Sequence, residues 1–352
     1  MKSQMNSGFI KCYNMGSNGS NRNYYLDNLK FILILFVVVS HFALKLTHVN
    51  EIKFLIYFIY IFHMPCFVFV NGYLAKRMNS GGKLKVDKIF MILWMYLFFK
   101  LGNVILEVMF QQELDINLFR DKAAPWYLLA LSIWYLSVPM LERIKTEYLI
   151  GGSIFISLMA GYVGNFREIF SLSRVFVFFP FFIIGFCLTE KQLETFLDKK
   201  LKIPAIALLI AVIGGLVLFW ERISPFREIV YGGTSYRTAL GEFANYGFFV
   251  RGVWYLAAFV VGAAIMLLVP RNRLFISGLG ERTLQVYILH IWVRNALEYA
   301  GIFGRIEDGP SYLVLIVLAG SIILTFLLSS KWIKKLFDLL MLPKLFQKVL
   351  KN

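Results

Sequence analysis

The sequence predicts an all-α, polytopic membrane protein of about ten transmembrane helices, with its N- and C-termini in the cytoplasm. Three observations predict it. Hydrophobic residues make up 59% of the chain and charged residues only 16%, where a soluble domain carries about a quarter charged. The mean hydropathy is accordingly high, at +0.66. The apolar residues gather into stretches close to the ~20 residues that a helix needs to cross a bilayer. Lysine and arginine then alternate between many and few in successive loops, as the positive-inside rule requires.

Taken in order, the ten stretches are 29–47, 54–75, 87–109, 126–142, 148–164, 174–189, 202–220, 251–269, 274–293 and 311–330. The first follows a polar entry containing Asp27, Asn28 and Lys30, and the second contains Pro65, which removes a backbone donor and favours a kink. Pro125-Trp126-Tyr127 opens the fourth and Arg174 opens the sixth. The fourth, fifth, sixth and ninth are the shortest or most interrupted. Placing the N-terminus inside puts Lys76, Arg77, Lys83, Lys85 and Lys88 in one cytoplasmic loop. Arg143 and Lys145, then Lys191, Lys199, Lys200 and Lys202, then Arg271 and Arg273 fill the next three. The opposite loops hold fewer cations over more residues, among them Lys45, Lys53, Arg120, Lys122 and Arg167. The chain therefore reads as a multi-pass protein of the cell membrane.

Three segments follow. Residues 1–23, rich in Asn, Ser and Gly, read as a flexible cytoplasmic extension without a cleavable signal peptide. Residues 24–330 form the membrane domain, and 331–352 read as a basic amphipathic tail on the inner leaflet, interrupted at Pro343. The connection 221–250 is the longest on the outer side, a length more often functional than idle. The net charge of +16 does not indicate nucleic acid, because the cations punctuate apolar segments and form no basic domain. Cys12, Cys66 and Cys187 are odd in number and scattered, so neither a disulfide framework nor a metal site is expected.

Ionisable groups within apolar segments are costly and point to function or to a hydrogen-bonded structural role. His41, His63 and His290 lie within three of the stretches. Lys30 and His41 are eleven residues apart, so on a helix they fall within about 20° of one face, roughly 16 Å apart along the axis. His63 precedes Pro65, and Asn71-Gly72 brings a polar side chain and a point of close approach nearer the inner end. His290 lies towards the outer end of the ninth stretch, where solvation is the simpler reading. Arg174 sits where an arginine ordinarily snorkels, and as a fixed cation it also suits a carboxylate or sugar hydroxyls. Trp126 and Tyr127 read either as an interfacial aromatic belt or as a platform for stacking a sugar.

Lys30-x10-His41 preceded by Tyr25-Leu-Asp, Phe62-His-Met-Pro, and Asn71-Gly-Tyr resemble the opening motifs of the integral-membrane acyltransferase-3 family. Pro125-Trp-Tyr-Leu-Leu-Ala-Leu131, Ser173-Arg-x5-Pro-Phe-Phe-x-x-Gly185 and Gly280-Glu-Arg-Thr-Leu-x-x-Tyr-x-x-His290 resemble its later landmarks, and are especially similar to the fucose 4-O-acetyltransferase-like branch. The resemblance covers about residues 24–330. Lys30 stands where arginine is commoner and Asn71 where serine usually precedes the glycine. Lysine keeps the charge but loses the bidentate fork.

The resemblance implies an O-acetyltransferase that moves an acetyl group from cytoplasmic acetyl-CoA to a sugar hydroxyl of a cell-surface or lipid-linked polysaccharide, such as capsule. It implies acyl-CoA, an envelope glycan and membrane lipids as partners, with no metal and no nucleic acid. His41 would be the general base, with Lys30 and His63 completing the catalytic set. Lys30, Lys76 and Arg77 would hold the CoA phosphates, and Asn71, Trp126, Tyr127, Arg174 and His290 would contact the acceptor. An acyl-histidine intermediate on His41 is an alternative course. A proton-coupled transporter or flippase of glycan precursors is the rival class, and a scaffold with structural histidines is the third.

Overall fold

The structure, a computed structural model, describes residues 23–80, 82–114, 124–164 and 171–341. Arg120, Lys122, Arg167, most of the expected N-terminal extension and the tail beyond 341 lie outside the described residues. The long elements are helices α1 (Tyr24–Ala43), α2 (Asn50–Ala75), α3 (Val86–Met109), α4 (Trp126–Leu141), α5 (Thr146–Ala160) and α6 (Leu172–Cys187). They continue as α7 (Glu190–Phe196), α8 (Lys202–Leu218), α9 (Gly247–Leu268), α10 (Thr283–Tyr299), α11 (Tyr312–Leu328) and α12 (Lys331–Leu340). The sole sheet among the described residues is a two-residue antiparallel hairpin pairing Asn79 with Leu84.

A helix lies on each of the ten expected stretches. The protein is an all-helical, polytopic membrane protein. Among the described residues, five helical segments are long and apolar enough to cross a bilayer alone, and counting each of two bent pairs as one span brings that number to seven. In those pairs α6 turns by 102° into α7 and α11 by 71° into α12. Helices α4 and α5 are apolar but shorter. A helix of 15–17 residues reaches only about 22–26 Å against a hydrocarbon core of about 30 Å, which is why these weaker stretches fall short of a full span.

The ninth stretch departs most from expectation. In place of a helix from 274, the chain makes a single short turn, Ser277–Gly280, and α10 begins only at Thr283 because Arg282 leaves the helical conformation. Gly280 packs against the backbone of α1 so closely that a Cβ there would overlap the carbonyl of Asp27. Glycine at this position is therefore a matter of contact.

The chain divides into two compact units. The first comprises Met1–His48, Val86–Asp115 and Pro270–Asn352. Helix α1 is its centre and packs against the Ser277–Gly280 turn, α10 and α11. Asn23 caps α1 by accepting from the Leu26 amide at 3.2 Å. Asn28 is fully buried and donates to the carbonyls of Pro270 and Asn272, both at 2.9 Å, while Ser277 Oγ donates to its Oδ1 at 2.6 Å. One side chain thus pins the entry of α1 to the loop before α10. Gln285, near the start of α10, donates to the Leu328 and Ser330 carbonyls at the end of α11. Helix α12 follows with Phe337 buried, Trp332 exposed and Lys334 paired with Asp338.

The second unit comprises Val49–Lys85 and Ile116–Val269. Its core is the crossing of α2 and α6, joined by α4, α5 and α9. A Cβ on Gly72 would overlap the Phe182 carbonyl, and one on Gly185 would overlap the Phe69 carbonyl, so the close approach expected at Asn71-Gly72 is reciprocal. Helix α2 continues unbroken through Pro65. Thr189 and Gln192 form a capping box that starts α7 after the sharp turn.

Candidate active site

In the first unit three polar pairs succeed one another along α1. At its start Lys30 Nζ lies 2.8 Å from Asp27 Oδ1, with 22% of the lysine side chain exposed. Near its end His41 Nδ1 lies 2.8 Å from His290 Nε2 on α10, and the two rings meet edge to edge, with planes inclined by only 8° and centroids 5.1 Å apart. Just beyond, Lys45 pairs with Glu298, also on α10. His41 and Lys45 are one turn apart, as are His290, Arg294 and Glu298, so each helix presents its polar groups on one stripe.

His290 has no exposed surface, and its Nδ1 lies 2.7 Å from the Val286 carbonyl. The sequence suggests a solvated position near the membrane surface. The structure encloses it, because α10 starts nine residues later than expected and runs on to Tyr299. His41 keeps partial exposure.

In the second unit the remaining candidates are distributed along α2, α4 and α6. His63 is 1% exposed, with Nδ1 2.8 Å from the Ile59 carbonyl and its ring packed edge-on against Tyr60. Asn71 donates to the Phe67 carbonyl at 2.9 Å and to the Tyr127 hydroxyl at 2.5 Å, and accepts from the Tyr135 hydroxyl at 3.2 Å. Its amide is thus engaged by two tyrosines of α4. Lys76 Nζ donates to the Leu188 carbonyl at 2.7 Å, tying the end of α2 to the bend after α6, and Arg77 is exposed.

Arg174 lies over the indole of Trp126, 5.4 Å from its centroid, and donates from Nε to the Tyr231 carbonyl at 3.3 Å. Ser173 Oγ donates to the Gly232 carbonyl at 2.9 Å. The start of α6 therefore holds the long connection 221–250, and Trp126 stacks on Phe178 in the same cluster. Arg251, which the sequence reading passes over, is fully buried under this connection, with its guanidinium 5.1 Å from the Tyr236 ring centroid.

Sequence reasoning also missed Glu298 and Tyr135, and placed Asn28 only in the polar entry to α1, without a role. Glu298 had a visible signal, since it follows His290 and Arg294 at four-residue spacing on one helical face. Asn28 and Tyr135 carried none, because each acts on a partner distant in the chain.

A bundle of apolar helices with histidines, lysines and carboxylates paired along its helices is that of a multi-pass membrane protein with polar centres inside its helices. A family model for an acyltransferase domain matches residues 23–330, and the chain belongs to the acyltransferase-3 family. The protein is a membrane acyltransferase, and that activity implies an acyl donor. No curated protein and no solved structure matches the chain.

Proposed function

We propose that the protein transfers an acetyl group from acetyl-CoA to a sugar hydroxyl of a cell-surface or lipid-linked polysaccharide, with His41 as the base. The observation that carries the choice of His41 is exposure. Of the three histidines in the apolar helices, His63 and His290 are enclosed, and His41 keeps accessible surface. A base must reach the proton it removes. The likeness of the later motifs to the fucose 4-O-acetyltransferase-like branch supports a sugar as the acceptor, and charge alternation supports a cytoplasmic donor.

In this reading His41 takes the proton of the acceptor hydroxyl as its oxygen attacks the thioester carbonyl. The carbon–sulfur bond then breaks, and the CoA thiolate takes the proton back from His41. The products are the acetyl ester and free CoA thiol, and His41 returns to its neutral form. Lys30 holds a phosphate group of CoA as a point charge; its partial exposure supports this, and Asp27 orients it meanwhile. The family resemblance supports Lys76 and Arg77 as CoA-binding cations. The Trp126–Arg174 pair gives a sugar an aromatic face beside a cation. Asn71, Tyr127 and His63 are proposed to support the acceptor side.

The test is acetyl transfer from radiolabelled acetyl-CoA by the purified full-length protein, with and without an envelope-glycan extract. Glycan-dependent transfer that disappears in His41→Ala supports the reading. Normal transfer by His41→Ala removes His41 as the base, and glycan transport without CoA release supports a transporter instead.

A further inference from the structure

The hydrogen bonds of the histidine pair determine which nitrogen of each ring carries hydrogen. His290 Nδ1 lies 2.7 Å from the carbonyl oxygen of Val286, one turn earlier on the same helix. A carbonyl only accepts, so the hydrogen is on His290 Nδ1. His290 has no exposed surface, and enclosure in apolar surroundings favours the neutral ring. A neutral imidazole has one N–H, so His290 Nε2 carries the lone pair and accepts. The group 2.8 Å from it is His41 Nδ1. The hydrogen in that bond therefore belongs to His41, and the lone pair of the neutral His41 ring sits on Nε2.

We infer that His290 is a positioning residue: it fixes His41 in the Nδ1–H tautomer and orients its ring so that Nε2 is the proton-accepting nitrogen. The inference rests on His41 being the base. It gives His290 a role other than touching the acceptor, which its enclosure does not favour. The chain of bonds from the Val286 carbonyl through His290 to His41 does the work that a carboxylate does for the histidine of a serine hydrolase. Here the acceptor is a neutral ring nearly coplanar with that of His41, so the bond lies close to the plane of both rings.

The contact strengthens during the reaction. When Nε2 takes the proton, His41 becomes an imidazolium, and its Nδ1–H bond to His290 becomes charge-assisted. An interaction stronger in the transition state than in the ground state raises kcat and leaves KM largely alone. When the proton leaves for the CoA thiolate, both rings return to the starting tautomers.

Two variants separate positioning from packing. His290→Phe keeps an aromatic ring beside His41 but offers no acceptor. His290→Gln places an amide oxygen near the position of Nε2 and keeps an N–H for Val286. With radiolabelled acetyl-CoA and envelope-glycan extract as probes, His290→Phe should lower kcat by roughly 10²-fold with little change in the KM for acetyl-CoA. His290→Gln should recover to within about tenfold of the parent protein. Histidine nitrogen NMR on the full-length protein in detergent reads the tautomer without turnover. Only four histidines need assignment.

The expected spectrum shows His41 protonated on Nδ1 in the parent protein, with that preference lost in His290→Phe. Finding His41 protonated on Nε2 in the parent protein overturns the inference. So does an inactive His41→Ala alongside a His290→Phe of parental kcat, an outcome that leaves His41 standing as the base. An active His41→Ala removes the base reading and with it the catalytic role of His290, while the NMR result still decides the tautomer.

Discussion

Ser277 Oγ donates to Asn28 Oδ1 at 2.6 Å while the amide nitrogen of Asn28 serves two carbonyls of the 270–272 turn. Asparagine is suited here because it presents an acceptor and two donors from one short side chain. Asn28→Ala leaves two carbonyls and a hydroxyl without this partner, at a cost of about 1–3 kcal/mol for each buried group left unsatisfied. Asn28→Asp keeps an acceptor for Ser277 but points a carboxylate at two carbonyl oxygens. Thermal unfolding of the detergent-solubilised protein should show both variants destabilised, with Asn28→Asp at least as low as Asn28→Ala.

Glycine at two helix positions should respond in opposite ways. At Gly72 a Cβ meets the Phe182 carbonyl, and neither backbone can yield without separating α2 from α6. Gly72→Ala should sharply lower the yield of folded, monodisperse protein. At Gly214 in α8 a Cβ meets nothing within 4 Å. Gly214→Ala should leave yield unchanged or raise stability by up to about 1 kcal/mol through helix propensity. Size-exclusion profiles of the two variants make the comparison direct.

Arg174, proposed to meet the acceptor, also holds the 221–250 connection. Its guanidinium covers Trp126 and its Nε–H reaches the Tyr231 carbonyl. Arg174→Lys keeps the charge but loses the flat face and the fork. Initial rates should show a several-fold higher KM for the glycan and an unchanged KM for acetyl-CoA. Equal change in both KM values would refute the assignment of Arg174 to the acceptor.

The Lys45–Glu298 pair is partly exposed, with 27% and 37% of the two side chains accessible. A pair so placed contributes about 0–1 kcal/mol. Glu298→Gln should therefore lower thermal stability little. The swap of Lys45→Glu with Glu298→Lys should restore whatever each single reversal loses, and a double-mutant cycle measures it.

Much of this protein is determined by its sequence alone. Hydrophobic stretches of near-bilayer length mark ten helices, because a chain in lipid has to satisfy its backbone hydrogen bonds within each segment. The placing of Lys30 and His41 on one face is local helix geometry, and the motif spacings around them mark the acyltransferase-3 family. Tertiary structure alone decided which residues meet. That His41 hydrogen-bonds His290, 249 positions away, depends on how α1 and α10 pack and on the late start of α10. That Gly280 is required by the Asp27 carbonyl, and Asn28 by the 270–277 turn, depends on the same packing. Such contacts leave no periodic trace, since each joins two local patterns that are complete without it.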